Sequence, residues 1–332
     1  MTAEKDNVLI DVKDVKKYFP IKGGILKRTI GHVKAVDGIT LHISKGETLG
    51  IVGESGSGKS TLGRVMLRLL NPTEGKIIFN GTDLSKLRQR EIRPHRRHMQ
   101  MVFQDPFGSL NSKMSISELI EEPLRVQTKL SHAERKKKVL SMMEKVGFQK
   151  EDLQKYPHEF SGGQRQRISI ARALIVEPEF VICDEPVSAL DVSIQAQILN
   201  LMKDLQDELG LTYLFIAHDL SVVKHISDRV AVMYLGRIVE IADKKDLYEQ
   251  PLHPYTKALL SSIPTVKTNG NPTKKQKIKL SGDLPSPSNP PSGCAFRTRC
   301  PFAYSKCSTE RPELTRMQGN HQVACHLYTS EE

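Results

Sequence analysis

The chain has 332 residues, 38% of them hydrophobic, enough to bury a core in two domains or in one large domain with an appendage. No apolar run approaches the roughly 18 residues of a membrane span, and Met1 to Asp6 lacks the apolar segment of a signal peptide, so a cytoplasmic protein is expected. The net charge of +11 suits nucleic acid, an anionic membrane surface or phosphate-bearing ligands, but its clusters at 135–138 and 274–279 are short and carry no interleaved aromatics, as on a solvated surface.

In chain order, Val8-Leu9-Ile10-Asp11-Val12 and Gly38-Ile39-Thr40-Leu41-His42-Ile43 read as strands of an antiparallel region, with a basic, glycine-containing loop over 20–31 between them. Thr48-Leu49-Gly50-Ile51-Val52 reads as a buried strand, and 62–67 has the apolar spacing of a helix. Between them stands Gly53-Glu54-Ser55-Gly56-Ser57-Gly58-Lys59-Ser60-Thr61, which fits a phosphate-binding loop. The glycines let backbone N–H groups turn inward around an anion, and the helix N-terminus adds the positive end of its dipole. Lys59 is expected to reach the β- and γ-phosphates, and the Ser60 hydroxyl to ligate Mg²⁺.

The segment 75–81 reads as a hairpin, with Asn80-Gly81 as its turn signal. From about Asp83 to Phe160 the pattern is helical and polar, with helices expected over 115–124 and 133–146. Phe180-Val181-Ile182-Cys183 returns to strand, and a helix from about Ser193 carries Ile194, Ile198, Leu201, Leu205 and Leu209 on one stripe. Strands at 212–217 and 230–234 complete an alternating order, which implies an α/β fold with a mostly parallel sheet covered on both faces. From 264 to 293 proline, lysine, asparagine and serine dominate, as in a linker.

Two further constellations carry chemistry. The strand 180–183 runs into Asp184 and Glu185. Beside a phosphate loop, Asp184 is placed to hold Mg²⁺ and Glu185 to act as base toward the attacking water. Ser161-Gly162-Gly163-Gln164 opens an amphipathic helix marked by Ile168, Ile170, Ala171 and Leu174, and so makes a second anion-binding N-terminus. A second such end is redundant within one site, but it makes sense over a nucleotide held by another subunit.

Over roughly residues 8 to 260 these motifs resemble the ATP-binding subunits of ABC transporters. The resemblance implies that Gly53, Ser55, Gly56, Ser57, Gly58, Lys59, Ser60 and Thr61 hold the phosphates. Ser161, Gly162, Gly163 and Gln164 would close over the partner's ATP. It further implies that Gln104 contacts Mg²⁺ and water and links to the transmembrane subunits. Asp191 would lie in the loop crossing the dimer interface, and His218 would contact the γ-phosphate. An aromatic on the first strand stacks on adenine: spacing favours Phe19, while adjacent Tyr18 faces the other way if the backbone is extended.

The expected organisation is an ABC ATPase domain over 1–263 with a helical subdomain at about 83–165, a linker over 264–293, and a small cysteine-rich extension over 294–332. Phe103-Gln104-Asp105-Pro106-Phe107-Gly108-Ser109-Leu110-Asn111 and Pro251-Leu252-His253-Pro254-Tyr255-Thr256 resemble the oligopeptide and dipeptide importer branch. So does the terminal block from Pro290. The implied function is ATP hydrolysis that powers peptide import, with nickel or another small solute as the alternative cargo. A second ATPase subunit, two permease subunits and an extracytoplasmic binding protein are the implied partners, at the cytoplasmic face of the membrane. The rival class, nucleic-acid-processing ABC ATPases, interrupts the cassette with coiled coils or zinc insertions or carries two cassettes; neither feature is here.

Cys294, Cys300, Cys307 and Cys325 cluster after the linker, where so short a segment needs a staple. Disulfides do not suit a cytoplasmic chain, so a metal centre is expected, either a [4Fe–4S] cluster or tetrahedral zinc. The first gaps are wider than the usual zinc spacing, which favours iron–sulfur, while His321 and His326 are spare ligands that favour zinc. Cys183 reads as a small buried strand residue.

Overall fold

The computed structural model describes residues 7–24, 27–263 and 282–328. Among these the strands are, in chain order, β1 (Val8–Gly23), β2 (Arg28–Ser44), β3 (Thr48–Val52), β4 (Glu74–Phe79), β5 (Thr82–Asp83) and β6 (Met99–Val102). They continue with β7 (Phe180–Asp184), β8 (Thr212–Ala217), β9 (Arg229–Tyr234), β10 (Arg237–Asp243), β11 (Thr315–Arg316) and β12 (Gln322–Val323). The chain forms two units that interleave in sequence. One takes 7–11, 42–48 and 78–217; the other takes the described parts of 12–41, 49–77 and 218–328.

In the first unit β6, β7 and β8 run parallel, with Met99 opposite Phe180 and Phe180 opposite Thr212. Every residue of β7 and β8 is buried, as unbroken apolar runs in a parallel sheet require. The expected helices form as Ile116–Gln127 and His132–Lys145, each opened by a capping box, Ser115 with Glu118 and Ser131 with Glu134. Asp191 caps Val192–Leu209, whose buried stripe is Ile198, Leu199, Met202 and Leu205; Ile194, Leu201 and Leu209 sit at its margin.

In the second unit β3 pairs in parallel with β9, which turns back antiparallel into β10. The two turn residues, Leu235 at φ 43° and Gly236 at φ 78°, both have the left-handed backbone of a tight hairpin. Here β1 lies between β2 and β4. The basic loop expected over 20–31 is shorter than its composition implies, because β1 continues through Pro20 to Gly23 and β2 begins at Arg28. Residues at the far end of β1 are largely exposed, so no apolar alternation marks them as strand.

The cysteine-bearing segment belongs to this second unit. Its β12 adds to the edge of β10, with Val323 opposite Glu240, and β11 adds to β12. Phe296 enters an aromatic cluster with Tyr234 and Tyr255, with ring centroids 4.8–5.4 Å apart and all three rings buried. Most of the expected linker, 264–281, lies outside the described residues. In its last part Pro287 O accepts a hydrogen bond from Lys34 N at 3.1 Å.

Candidate functional site

In the second unit, β3 delivers the chain into the glycine loop, and Lys59 begins the helix Lys59–Met66. The glycines are sterically required: a Cβ on Gly53 would stand 2.1 Å from Met233 O, and one on Gly58, at φ 101°, 2.0 Å from Ala35 O. Lys59 is 4% exposed, and its Nζ donates to Gly53 O at 2.7 Å and Glu54 O at 3.0 Å. Ser55 and Gly56 are exposed, Ser57 is buried, and Ser60 and Thr61 are half-buried. Ser57 O accepts from Gly236 N at 2.9 Å.

Glu54 joins the loop to residues that its motif does not name. Its N–H donates to Tyr255 Oη at 2.9 Å, and its carboxylate takes two hydrogen bonds from Arg299, at 2.8 and 3.1 Å. Sequence reasoning missed both supports. The one signal was a charged side chain at a position the motif leaves free, in a loop expected to receive anions.

The two adenine candidates part. Phe19 is 36% exposed, with Lys17 Nζ 5.0 Å from its ring centroid. Tyr18 instead lines a cleft of about 680 Å³, and its hydroxyl donates to Asp37. Arg237 also grips Asp37, at 2.6 and 3.0 Å. Burial opposes the charge on Asp37, yet the hydrogen bonds from Tyr18 and Arg237 outweigh it and hold the carboxyl below its ordinary range. His218 is exposed just beyond β8.

In the first unit, Asp184 ends β7 and is 2% exposed. Glu185 follows with φ 48°, a left-handed backbone that is uncommon for such a side chain. Glu185 N donates to Ile216 O at 2.9 Å, and Ser188 Oγ donates to Glu185 O at 3.1 Å, so the turn is held from both sides. Gln104 Nε2 donates to the Glu185 carboxylate at 2.9 Å. Ser161 caps the helix Gly162–Leu174 in a reciprocal pair with Gln164, both exposed. A Cβ on Gly163 would meet Ile194 Cγ2 at 2.5 Å, so glycine allows the approach of Val192–Leu209. The Asp191 carboxylate accepts from Ser193 Oγ and Ile194 N, which holds its pKa low.

The four terminal cysteines are free thiols, Cys307 and Cys325 buried and Cys294 and Cys300 half-buried. Burial pushes Cys325 up to about 11, aided by the charges of Cys294, Cys300 and Cys307. Cys294 N donates to Cys307 O at 2.9 Å. Among the described residues, however, no three potential ligands are grouped closely enough to hold a metal ion. The two spare histidines are engaged elsewhere: His321 with buried Glu240 at 2.7 Å, and His326 with Glu310 O at 3.0 Å.

The model of the ABC transporter family matches residues 36–188, and that of the oligopeptide/dipeptide transporter C-terminal region matches 239–307. The oligopeptide transport ATP-binding protein AppF of Bacillus subtilis is 56% identical over 330 residues, 99% of this chain and 100% of that protein. The chain belongs to the oligopeptide/dipeptide branch of the ABC transporter ATP-binding proteins. The dipeptide transport ATP-binding protein DppF of Haemophilus influenzae is 50% identical over 98% of this chain and 99% of its own. A dimeric post-hydrolysis structure of the cassette MJ0796 bound to ADP and Pi matches with a TM-score of 0.63 and 29% identity, over 71% of this chain and 99% of that one. As a member of this family, the chain is an ATP hydrolase with the α/β phosphate-loop fold. No helix among the described residues is long and apolar enough to cross a membrane.

Proposed function

We propose that this ABC ATPase hydrolyses Mg²⁺–ATP to power the import of oligopeptides or dipeptides. The observation that carries the reading is the 2.9 Å hydrogen bond from Gln104 to Glu185 at the end of β7, on a chain that also carries an intact phosphate loop. The loop fits a polyphosphate: backbone crowding excludes any Cβ at Gly53 and Gly58, and the Lys59 ammonium lies along the loop. Ser60, Asp184 and Gln104 supply the oxygen donors that suit Mg²⁺, which when bound would neutralise charge developing on the phosphates.

The side chains divide the remaining work. Lys59 and the loop N–H groups bind the β- and γ-phosphates. Glu185, oriented by Gln104, takes the proton of the attacking water, and His218 contacts the γ-phosphate. Phe19 is the adenine platform, since Tyr18 is committed to Asp37. Ser161, Gly162, Gly163, Gln164 and Asp191 serve the nucleotide held by a second ATPase subunit. Two permease subunits and an extracytoplasmic binding protein complete the importer, with this chain at the cytoplasmic membrane face.

Glu185→Gln is expected to lower hydrolysis at least about a hundredfold while ATP still binds, and Lys59→Ala to lose affinity itself. ATP turnover at the normal rate in Glu185→Gln would remove Glu185 from the role of base. Cys294, Cys300, Cys307 and Cys325 are the proposed ligands of a metal centre outside the ATP site, iron–sulfur or zinc. Their grouping in sequence, four thiols within 32 positions after the linker, supports that reading.

A further inference from the structure

Glu54 is the point at which two separate parts of the second unit meet the phosphate loop and the loop's own lysine. Its backbone N–H is held by Tyr255, from the helix Pro254–Ser261. Its carbonyl oxygen receives Lys59, the residue that contacts phosphate under the proposed function. Its carboxylate is clamped by both terminal nitrogens of Arg299, whose side chain is only 8% exposed. Arg299 sits one position before Cys300 and three after Phe296, the ring packed against Tyr255. The cysteine-bearing segment therefore touches the loop twice, through the Arg299 fork and through the aromatic packing behind Tyr255.

We propose that Arg299 is a positioning residue for the phosphate loop, through which the terminal cysteine segment sets the affinity of this chain for nucleotide. Two physical effects act in the same direction. The bidentate fork fixes the Glu54 side chain and, with Tyr255, the backbone whose carbonyl anchors Lys59. It also neutralises a carboxylate that would otherwise stand in the loop and repel a polyphosphate. Arg299 touches no nucleotide in this arrangement; it acts through Glu54.

The inference rests on the reading of the loop as a nucleotide site, and the experiment separates the two. Binding of a fluorescent ATP analogue is measured on the full-length chain, with unfolding followed in the absence of nucleotide as a control. Wild type that fails to bind, or Lys59→Ala that binds as wild type does, would sink the nucleotide reading. Given normal wild-type binding, Arg299→Ala is expected to weaken affinity about tenfold, and Arg299→Lys, which keeps the charge but loses the fork, to weaken it less. In a Glu54→Gln background, the same Arg299 substitutions are expected to change affinity by less than about twofold, since the pair is then already broken. Cys300→Ser is expected to weaken affinity in the same direction as Arg299→Ala. If Arg299→Ala fails to fold, Arg299→Lys alone decides, in the two backgrounds. Affinity unchanged by the Arg299 substitutions, an equal loss with Glu54 absent, or unchanged affinity in Cys300→Ser would overturn the proposal.

Discussion

His253 shows how one buried side chain ties local geometry to acid sensitivity. Burial lowers its pKa from 6.5 to about 4, and its neutral Nδ1 accepts the Tyr255 N–H at 3.0 Å. The unfolded chain takes up this proton below about pH 6.5, whereas the folded chain resists until about pH 4. The stability this site contributes is therefore present above pH 6.5 and lost as pH falls toward 4, by an amount of order 3 kcal/mol. Urea unfolding across that range should show the decline, and His253→Asn, which keeps an acceptor without the titration, should flatten it. An unchanged slope in the variant would assign the decline to other groups. The proposed choice of adenine platform also turns on this scale. Spacing favours Phe19 over Tyr18 in sequence, and the structure separates them because Asp37, remote in the chain and itself held by Arg237, accepts from the Tyr18 hydroxyl.

At the scale of elements, the helix Gly162–Leu174 has two duties at one end. Ser161 caps it, so Ser161→Ala should cost about 1 kcal/mol in stability. Under the proposed assembly, the same residue serves the partner's ATP. Mixing Ser161→Ala with Lys59→Ala chains tests this in a homodimer: one composite site should keep both its phosphate loop and its Ser161, and hydrolysis should persist in the mixture. In a pair with a paralogue, Ser161→Ala should disable the site whose phosphate loop is the paralogue's. Loss of nucleotide from this chain's own loop would contradict that arrangement. Elements with strong local signals were legible in sequence. β7 and β8 are unbroken apolar runs, and the first-unit helices announce themselves by Ser-x-x-Glu caps. The extension of β1 past Pro20 was not legible, because its far end is largely exposed and takes its order from neighbouring strands. β11 and β12 were equally hidden, since two residues carry no periodicity. In the site, motif residues were readable one by one. The Glu54 clamp was not, because Arg299 lies far along the chain and in no motif.

At the scale of the whole molecule, the cysteine segment is integrated into the second unit, and this bears on what a metal would do there. Burial raises the pKa of Cys294, Cys300 and Cys325, which favours their protonated form when no cation is near, and a bound metal would reverse that. Anaerobic purification followed by iron, sulfide and zinc analysis should find either iron with sulfide or one zinc per chain. Metal-free protein with four titratable thiols would rule the centre out.

The pairing of β12 with β10 has a consequence for biosynthesis. β10 leaves the ribosome with an apolar edge, Ile238, Val239 and Ile241, and the strand that covers it emerges about 80 residues later. Until then the nascent chain exposes an unpaired edge of the kind that recruits other chains. The finished protein closes that edge with β12 and leaves β11 outermost, two exposed residues long and too short to template further pairing. The last stretch of the chain thus works as a stopper against misassembly, and a product that ended at the linker would carry the open edge permanently.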